Sequence, residues 1–197
     1  MYVLGIHFCG HDTSACLVKD GIVVAFAEEE RFVHQKHTVA FPHEAIKYCL
    51  NSQNITTSDL DYVVYSTDPE STNLEKMKYR EKYKPDFEPS VIDEEEFRKQ
   101  VMERLGITGE DSVKLKGVDH HIAHAASCFL TSPFESSTIV TIDGMGNWLT
   151  TTIGIGEGTN IKRLCHVSHP HSVGLFYGAV TQFLGFKAGS GEAKVMG

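Results

Sequence analysis

The sequence predicts an α/β fold, because short β-type runs alternate with segments of helical periodicity along most of the chain. Near the start, the pair Asp20 and Gly21 separates two β-type runs, a pattern typical of a tight hairpin turn. Pro42 fits the first position of a helix with four apolar residues on one face. The 197 residues suffice for one large domain or two small lobes, and 41% hydrophobic with 22% charged residues is typical of a globular protein.

The remaining elements follow from periodicity, turn residues and glycine stops. In chain order we expect strands at 2–8, 14–19 and 22–28, a helix at 42–53, a strand at 61–66, a solvated insertion or irregular helix at 67–89, a helix at 93–105, a strand at 113–118, a helix at 120–130, strands at 138–142, 149–155 and 161–167, and a helix at 172–184. The first strand and the strand at 138–142 are each followed by a glycine-containing loop and a hairpin. This weak repeat favours two related lobes, a first lobe at 1–136 and the beginning of a second at 137–197.

The charge of the chain argues against some classes of partner. Its 18 basic and 26 acidic residues give a net charge of −8, whereas a nucleic-acid or anionic-membrane surface needs a clustered positive field. No apolar run approaches the roughly 20 residues of a membrane span, and the first residues are interrupted by His and Asp too early for a signal peptide. We therefore expect a cytoplasmic location.

The five cysteines include no Cys-x-x-Cys pair, which favours reduced thiols over disulfides.

Three histidines lie within five residues at the start of the helix predicted at 120–130. His120 and His124 are separated by about 40° around the helix axis, the geometry by which two imidazoles hold one metal ion. Apolar residues gather on the opposite side, so this pair projects from the polar face. His121 is an alternative to His120 as a ligand. Cys128 continues the histidine face, either as a soft ligand or as a small buried thiol.

Asp143 follows a predicted buried strand and opens the segment Asp-Gly-Met-Gly, which we expect to be a tight loop. Together with His120 and His124 it forms a set of two nitrogens and one oxygen that suits Fe(II), Mn or Zn and leaves positions open for substrate. The backbone N–H groups around Gly144 and Gly146 favour an anion nest that would bind a phosphate. A plain hairpin turn is the alternative interpretation of this segment.

The sequence resembles the O-carbamoyltransferases of the NodU/CmcH type in five segments that occur in the family's order. These segments are FAEEERF at 26–32, HHIAHAAS at 120–127, SPF at 132–134, TIDGMG at 141–146 and GEAKVMG at 191–197. The resemblance spans nearly the whole chain. It implies an actin-like, two-lobed ATPase-type domain, followed in such enzymes by a YrdC-like domain.

The resemblance also implies a reaction. In such enzymes the YrdC-like part makes carbamoyl-adenylate from carbamoyl phosphate and ATP, and the actin-like part passes the carbamoyl group to a hydroxyl of an antibiotic or an oligosaccharide. It implies iron held by His120, His124 and Asp143, with a further aspartate ligand beyond the segment present here. His11 is implied as the base for the acceptor hydroxyl, a role that an imidazole side chain suits.

Other polar residues are candidates for substrate contact. The charged loop that contains Lys36 borders the active cleft in the family, and Asp12 follows the implied base, so both are candidates for contact with the acceptor; a solvated loop is the alternative. Lys194 is a candidate phosphate or nucleotide contact. A second group of histidines is expected not to bind metal because no helix or strand face aligns its members, which are His166, His169 and His171.

Two other functions stay open on the sequence. One is transfer of threonylcarbamoyl to tRNA adenosine by a related branch of the fold, but that branch carries His-x-Glu-Gly-His where this chain has His-His-Ile-Ala-His. The other is a non-catalytic module that binds metal or nucleotide. Because the family continues beyond Gly197, we expect the 197-residue chain alone not to complete the ATP-dependent reaction.

Overall fold

The computed structural model describes residues 1–8, 10–107 and 113–197, which form two compact units. The first unit comprises Met1–Pro69 and Ile92–Val118, and the second comprises Glu70–Val91 and Asp119–Gly197. Each contains a sheet and helices, so the predicted α/β class is confirmed. The two lobes predicted at 1–136 and 137–197 were inferred from a sequence repeat and not from compactness, so that division stays a prediction. Within the described ranges, no helix has the length and apolar character needed to cross a membrane. Cys9 lies outside the described residues.

The first unit is built on a five-stranded sheet in the order β3-β2-β1-β4-β5. Its strands are β1 (Tyr2–His7), β2 (Ser14–Lys19), β3 (Ile22–Glu28), β4 (Tyr62–Tyr65) and β5 (Lys114–Gly117). Strands β1 to β3 pair antiparallel, whereas β1, β4 and β5 pair parallel. The predicted hairpin turn is confirmed, since Asp20 and Gly21 have φ values of 49° and 82°.

Among the described residues of this unit, three α-helices accompany the sheet: α1 (Glu30–Val33), α2 (His43–Asn51) and α4 (Glu94–Leu105). Helix α2 begins after Pro42 and buries the predicted apolar face against β2 and β3, namely Ala45, Ile46, Cys49 and Leu50. Helix α4 is capped by Asp93 and ends at Gly106, whose φ of 67° is the left-handed conformation typical of a helix stop. Residues of the sheet, α2 and α4 form the core of the unit, whereas α1 has no buried residue.

A buried carboxylate joins the start of α2 to the strands. Glu29 is only 3% exposed, and its side chain accepts hydrogen bonds from the backbone nitrogens of Glu44 and Ala45 at 3.3 and 2.8 Å. The first turn of a helix leaves N–H groups unpaired and carries partial positive charge, so this carboxylate stabilises the helix start. The Glu29 nitrogen also donates to the Thr13 carbonyl at 2.9 Å, which fixes the loop after β1.

The second unit contains an antiparallel sheet of β6 (Ser136–Gly146), β7 (Leu149–Glu157) and β8 (Asn160–Ser168). Its helices are α3 (Pro69–Tyr83, the first residue of which belongs to the first unit), α5 (His120–Phe129), α6 (Val173–Phe183) and α7 (Glu192–Met196). Helix α5 packs on all three strands, and α6 packs mainly on β6. Ala125, Phe129 and Ile139 form the small apolar core beneath α5.

The segment predicted as a solvated insertion or irregular helix contains α3, a 15-residue helix. Its periodicity is hidden in the sequence because its buried side is polar: Thr72, Glu75 and Lys76 are all less than 10% exposed. The Lys76 ammonium donates to the Ser90 carbonyl at 2.7 Å, so the charge is hydrogen-bonded within the second unit.

The predicted tight loop at Asp-Gly-Met-Gly was wrong. Asp143 to Gly146 form the end of β6, where the pairing with β7 shifts register, and the chain turns one step later. The turn consists of Asn147 and Trp148, with φ values of 52° and 65°. Positive φ at both positions is the requirement of a type I′ hairpin turn, and Asn is well suited to it. Asp143 consequently lies on a strand within the sheet.

Candidate metal centre and candidate base

The first turn of α5 is fixed by the side chains of Asp119 and Asn147. The Asp119 carboxylate caps the helix by accepting from the Ile122 nitrogen at 3.0 Å, and it also accepts from Arg163 at 2.9 Å. The Asn147 side-chain oxygen accepts from the His120 nitrogen at 2.8 Å. These contacts hold the histidine-bearing turn against the end of β6.

The three residues predicted as metal ligands come together in the second unit. His120 Nε2 lies 2.9 Å from Asp143 Oδ2, and His124 Nε2 lies 3.0 Å from His120 Nε2. The distance from His124 Nε2 to Asp143 Oδ2 is 3.8 Å. The two imidazoles, one turn apart, and the strand carboxylate therefore face one point.

The chemistry of this donor set fits a metal ion. An imidazole Nε2 carries either a proton or a lone pair, so His120 Nε2 cannot both donate to Asp143 and accept from His124. One cation at the common point would use a lone pair from each of the three atoms. Two ligand atoms that lie about 2.1 Å from an ion and at right angles to each other are about 3 Å apart. The His120–Asp143 and His124–His120 distances of 2.9 and 3.0 Å are close to this value. Two imidazoles and one carboxylate suit Fe(II), with Zn and Mn as alternatives.

The charge of Asp143 suits the same role. The hydrogen bond from His120 and the nearby His124 ring hold the pKa of Asp143 far below its ordinary value, and this effect outweighs partial burial, which raises it. The Gly144 nitrogen donates to Asp143 Oδ1 at 2.6 Å, so the second carboxylate oxygen is also held. The carboxylate is therefore ionised and oriented before any ligand arrives.

The two glycines predicted to form an anion nest have other contacts in the structure. The Gly144 N–H is directed to Asp143, as described. Gly146 lies against the His120 ring: an added β-carbon would overlap the ring carbons and come within 2.7 Å of Nε2. Phosphate binding by these glycines stays a prediction. In the structure, Gly144 contacts Asp143 and Gly146 contacts His120, so both glycines support ligands of the candidate metal centre.

His121 and Cys128, the two alternative ligands, lie apart from the converging donor atoms. His121 is fully buried, and its Nδ1 lies 2.7 Å from the hydroxyl of Thr141, which in turn contacts Thr152 Oγ1. Burial also lowers the pKa of His121, so its neutral form is favoured. The exposed Cys128 thiol donates to the Ala125 carbonyl within the helix. Neither side chain joins the donor group of His120, His124 and Asp143.

The candidate base lies in the first unit, on the loop after β1. His11 Nδ1 lies 2.7 Å from Asp12 Oδ2, and its side chain is 65% exposed. Because an ionised carboxylate only accepts, the contact favours the tautomer with hydrogen on Nδ1 and a bare Nε2. His37 Nδ1 lies 2.9 Å from the other oxygen of Asp12. Partial burial raises the pKa of Asp12, but hydrogen bonds from both rings outweigh it and hold that pKa below its ordinary value.

His37 belongs to the charged loop predicted to border the cleft, but its contact with Asp12 was not predicted from the sequence. It is 25 positions from Asp12, and nothing in the local pattern marks that pairing. Lys36, the predicted cleft-loop residue, is exposed beside it. Lys194, the predicted phosphate contact, is exposed on α7. The roles of both lysines stay predictions.

The second histidine group borders a cavity of about 340 Å³ between α3 and β8. The Tyr83 hydroxyl lies 3.0 Å from His171 Nε2, and the His169 ring packs on Tyr79 and Trp148. Among the described residues, these histidines do not form a group of three metal donors.

Fold and site together define an α/β protein with a candidate metal centre of two histidines and one carboxylate. The chain belongs to the family described as carbamoyltransferase N-terminus, which matches residues 2–197. The resemblance seen in the five sequence segments is thereby confirmed.

Curated relatives share this similarity but are much longer. An uncharacterized protein of Synechocystis sp. is 36% identical over 208 residues, which is 100% of this chain and 34% of that protein. Nodulation protein NolNO of Sinorhizobium fredii is 33% identical over 189 residues, covering 95% of this chain and 27% of the relative. The chain thus spans between about a quarter and a third of the length of these relatives.

Among solved structures, component A of (R)-2-hydroxyglutaryl-CoA dehydratase from Acidaminococcus fermentans matches with a TM-score of 0.48 and 15% identity. The match covers 95% of this chain and 56% of that one. YeaZ from Pseudomonas aeruginosa matches with a TM-score of 0.48 and 9% identity over 86% of this chain and 67% of the other.

Proposed function

We propose that the chain is the N-terminal part of an O-carbamoyltransferase with an actin-like, two-lobed domain. The enzyme would take the carbamoyl group from carbamoyl phosphate, through a carbamoyl-adenylate formed with ATP, to a hydroxyl of a small-molecule or sugar acceptor. The observation that carries this proposal is the family match over residues 2–197. The similarity to a nodulation protein over 95% of the chain supports it.

His11 is the proposed base for the acceptor hydroxyl. Asp12 accepts from Nδ1, which leaves Nε2 to take the hydroxyl proton as the acceptor oxygen attacks the carbamoyl carbon of carbamoyl-adenylate. The bond from that carbon to the phosphate oxygen then breaks, and AMP leaves. The exposed ring can be reached by a substrate. Asp12 is thus a positioning residue in this proposal, and Lys36 is a candidate contact for the acceptor.

His120, His124 and Asp143 would hold the metal, which we propose to be Fe(II). A bound divalent ion supplies Lewis-acid stabilisation of negative charge on the transferring group. The protein's own contribution is orientation: Asn147 holds the backbone of His120, and Gly144 holds Asp143. Gly144, Gly146 and Lys194 are the proposed contacts for the phosphates of the nucleotide.

The transfer is tested with the full-length protein, ATP, labelled carbamoyl phosphate and two acceptor classes, hydroxyl-bearing antibiotics and oligosaccharides. We expect a carbamoylated hydroxyl product from one class. His11→Asn should abolish product while carbamoyl-adenylate still forms, because only the acceptor step needs the base.

The matched control for this test is His34→Asn. His34 is an exposed histidine at positive φ on another loop of the first unit. The control should retain transfer. Carbamoyl-adenylate that reaches no hydroxyl in the wild-type protein, across both acceptor classes, would contradict the transferase proposal.

A further inference from the structure

A second group of metal-type donors lies in the first unit. One ligand atom each from His11, Asp12 and His37 lies within 4.8 Å of the other two. The two imidazole rings are 6.2 Å apart between centroids and nearly perpendicular, with the Asp12 carboxylate contacting both Nδ1 atoms. The chemical set, two imidazoles and one carboxylate, is the same as in the second unit.

The backbone holds these donors in an uncommon conformation. Asp12 and His37 have φ values of 61° and 55°, in the left-handed region that side chains other than Gly rarely adopt. The Glu30 carboxylate accepts from the His37 nitrogen at 3.1 Å. Thr13 and Thr38, which follow Asp12 and His37 in the chain, are also joined, since the Thr13 nitrogen donates to the Thr38 carbonyl at 3.5 Å. The donors are therefore brought together by a folded framework rather than by one flexible loop.

We propose that His11, Asp12 and His37 form a second metal site, which binds Zn²⁺. Tetrahedral ligands about 2.1 Å from zinc lie about 3.4 Å apart, and one donor atom from each of the three residues already lies within 4.8 Å of the other two. Imidazole with carboxylate suits zinc better than magnesium or calcium, which prefer oxygen ligands. The exposure of the three side chains, between 40% and 65%, leaves room for water or substrate to complete the coordination.

The site has a consequence for the acceptor step, and this part rests on the proposed function. Zinc on His11 Nδ1 would replace the hydrogen bond to Asp12, and the hydrogen of the neutral ring would then lie on Nε2. Nε2 would have no lone pair with which to take the hydroxyl proton. Zinc at this site is therefore expected to inhibit carbamoyl transfer by occupying the base.

Zinc binding is measured first, without reference to activity. The His120→Ala/His124→Ala protein lacks the candidate metal centre of the second unit. When this protein competes with a chelating dye for zinc, it should bind one zinc ion per chain. Adding His37→Asn should weaken zinc binding at least about tenfold, because one of three ligands is lost. His34→Asn is the matched control, since His34 also has positive φ, at 54°, and Asn is well tolerated in that conformation. The control should bind zinc within about twofold of the background.

Equal zinc affinity in the His37→Asn and His34→Asn proteins would overturn the proposed site. In the active enzyme, the zinc concentration for half inhibition should rise about tenfold with His37→Asn and stay unchanged with His34→Asn. Equal inhibition of both variants would likewise contradict the site. Absence of transfer by the wild-type enzyme would contradict the proposed function instead, and the dye titration would still decide the zinc site.

Discussion

Gly146 lies so close to the His120 ring that a β-carbon at position 146 would overlap it. The end of β6 therefore needs a residue without a side chain where it passes the candidate metal ligand. This contact gives the second glycine of the Asp-Gly-Met-Gly segment a structural role distinct from the predicted phosphate contact.

We expect Gly146→Ala to displace the His120 ring and weaken metal binding by at least about tenfold, with the fold retained. Gly144→Ala is the matched control on the same strand, since its β-carbon would meet only Leu175 Cδ2 at an ordinary 3.7 Å. Metal affinity from dye competition, with circular dichroism as the folding check, compares the two. Equal affinities would show that the close approach does not position the ligand.

The buried carboxylate at the start of α2 gives a stability prediction. Glu29→Gln should lower the free energy of unfolding by about 2 kcal/mol, because its amide nitrogen replaces an acceptor that faces backbone N–H groups. Glu28→Gln should cost less than about 1 kcal/mol, since Glu28 forms a partly exposed pair with Arg31. Urea unfolding of both variants measures the difference, and a larger loss for Glu28→Gln would contradict the capping role.

Glu75 should make the stability of the second unit depend on pH. Its carboxylate accepts from Ser168 on β8 at 2.8 Å and from Lys78 at 2.6 Å, and the side chain is 10% exposed. Partial burial raises the pKa of Glu75, but these hydrogen bonds outweigh it and hold the pKa below the ordinary 4.5. A lowered folded-state pKa stabilises the protein above the unfolded pKa, and this contribution is lost as pH falls through the folded value.

Glu75→Gln should therefore cost about 1–2 kcal/mol at pH 7 and progressively less below about pH 4.5. Glu81→Gln, at an exposed position of the same helix, is the control and should have little effect at either pH. Thermal unfolding between pH 3 and pH 7 checks both variants. A difference between wild type and Glu75→Gln that stays constant over this range would contradict the assigned contacts.

Local patterns allowed the hairpin at Asp20 and Gly21 and the buried face of α2 to be predicted from the sequence. The pairing of His120 with His124 was also accessible, because an interval of four residues fixes their relative direction on a helix. Asp143 could be added because a carboxylate at the end of a buried strand commonly faces a ligand site. Each of these inferences depends on residues close together in the chain or on a strong strand signal.

Other contacts depend on pairings over long distances in the sequence. Asn147 reaches the His120 nitrogen across 27 positions, and His37 reaches Asp12 across 25. The polar buried side of α3 gave no apolar period, so Glu75 was not recognised as a buried residue. The tight loop was placed at the glycines because glycine is the strongest turn signal, whereas the chain turns at Asn147 and Trp148.

The central claim, that His120, His124 and Asp143 form a metal centre, is tested most directly by iron content after reconstitution with Fe(II) without oxygen. The wild-type protein and the exposed-thiol control Cys128→Ser should each retain about one iron per chain at this centre. The His120→Ala/His124→Ala protein should lose that iron while keeping its circular dichroism spectrum. Unchanged iron content in the folded double variant would contradict the metal centre.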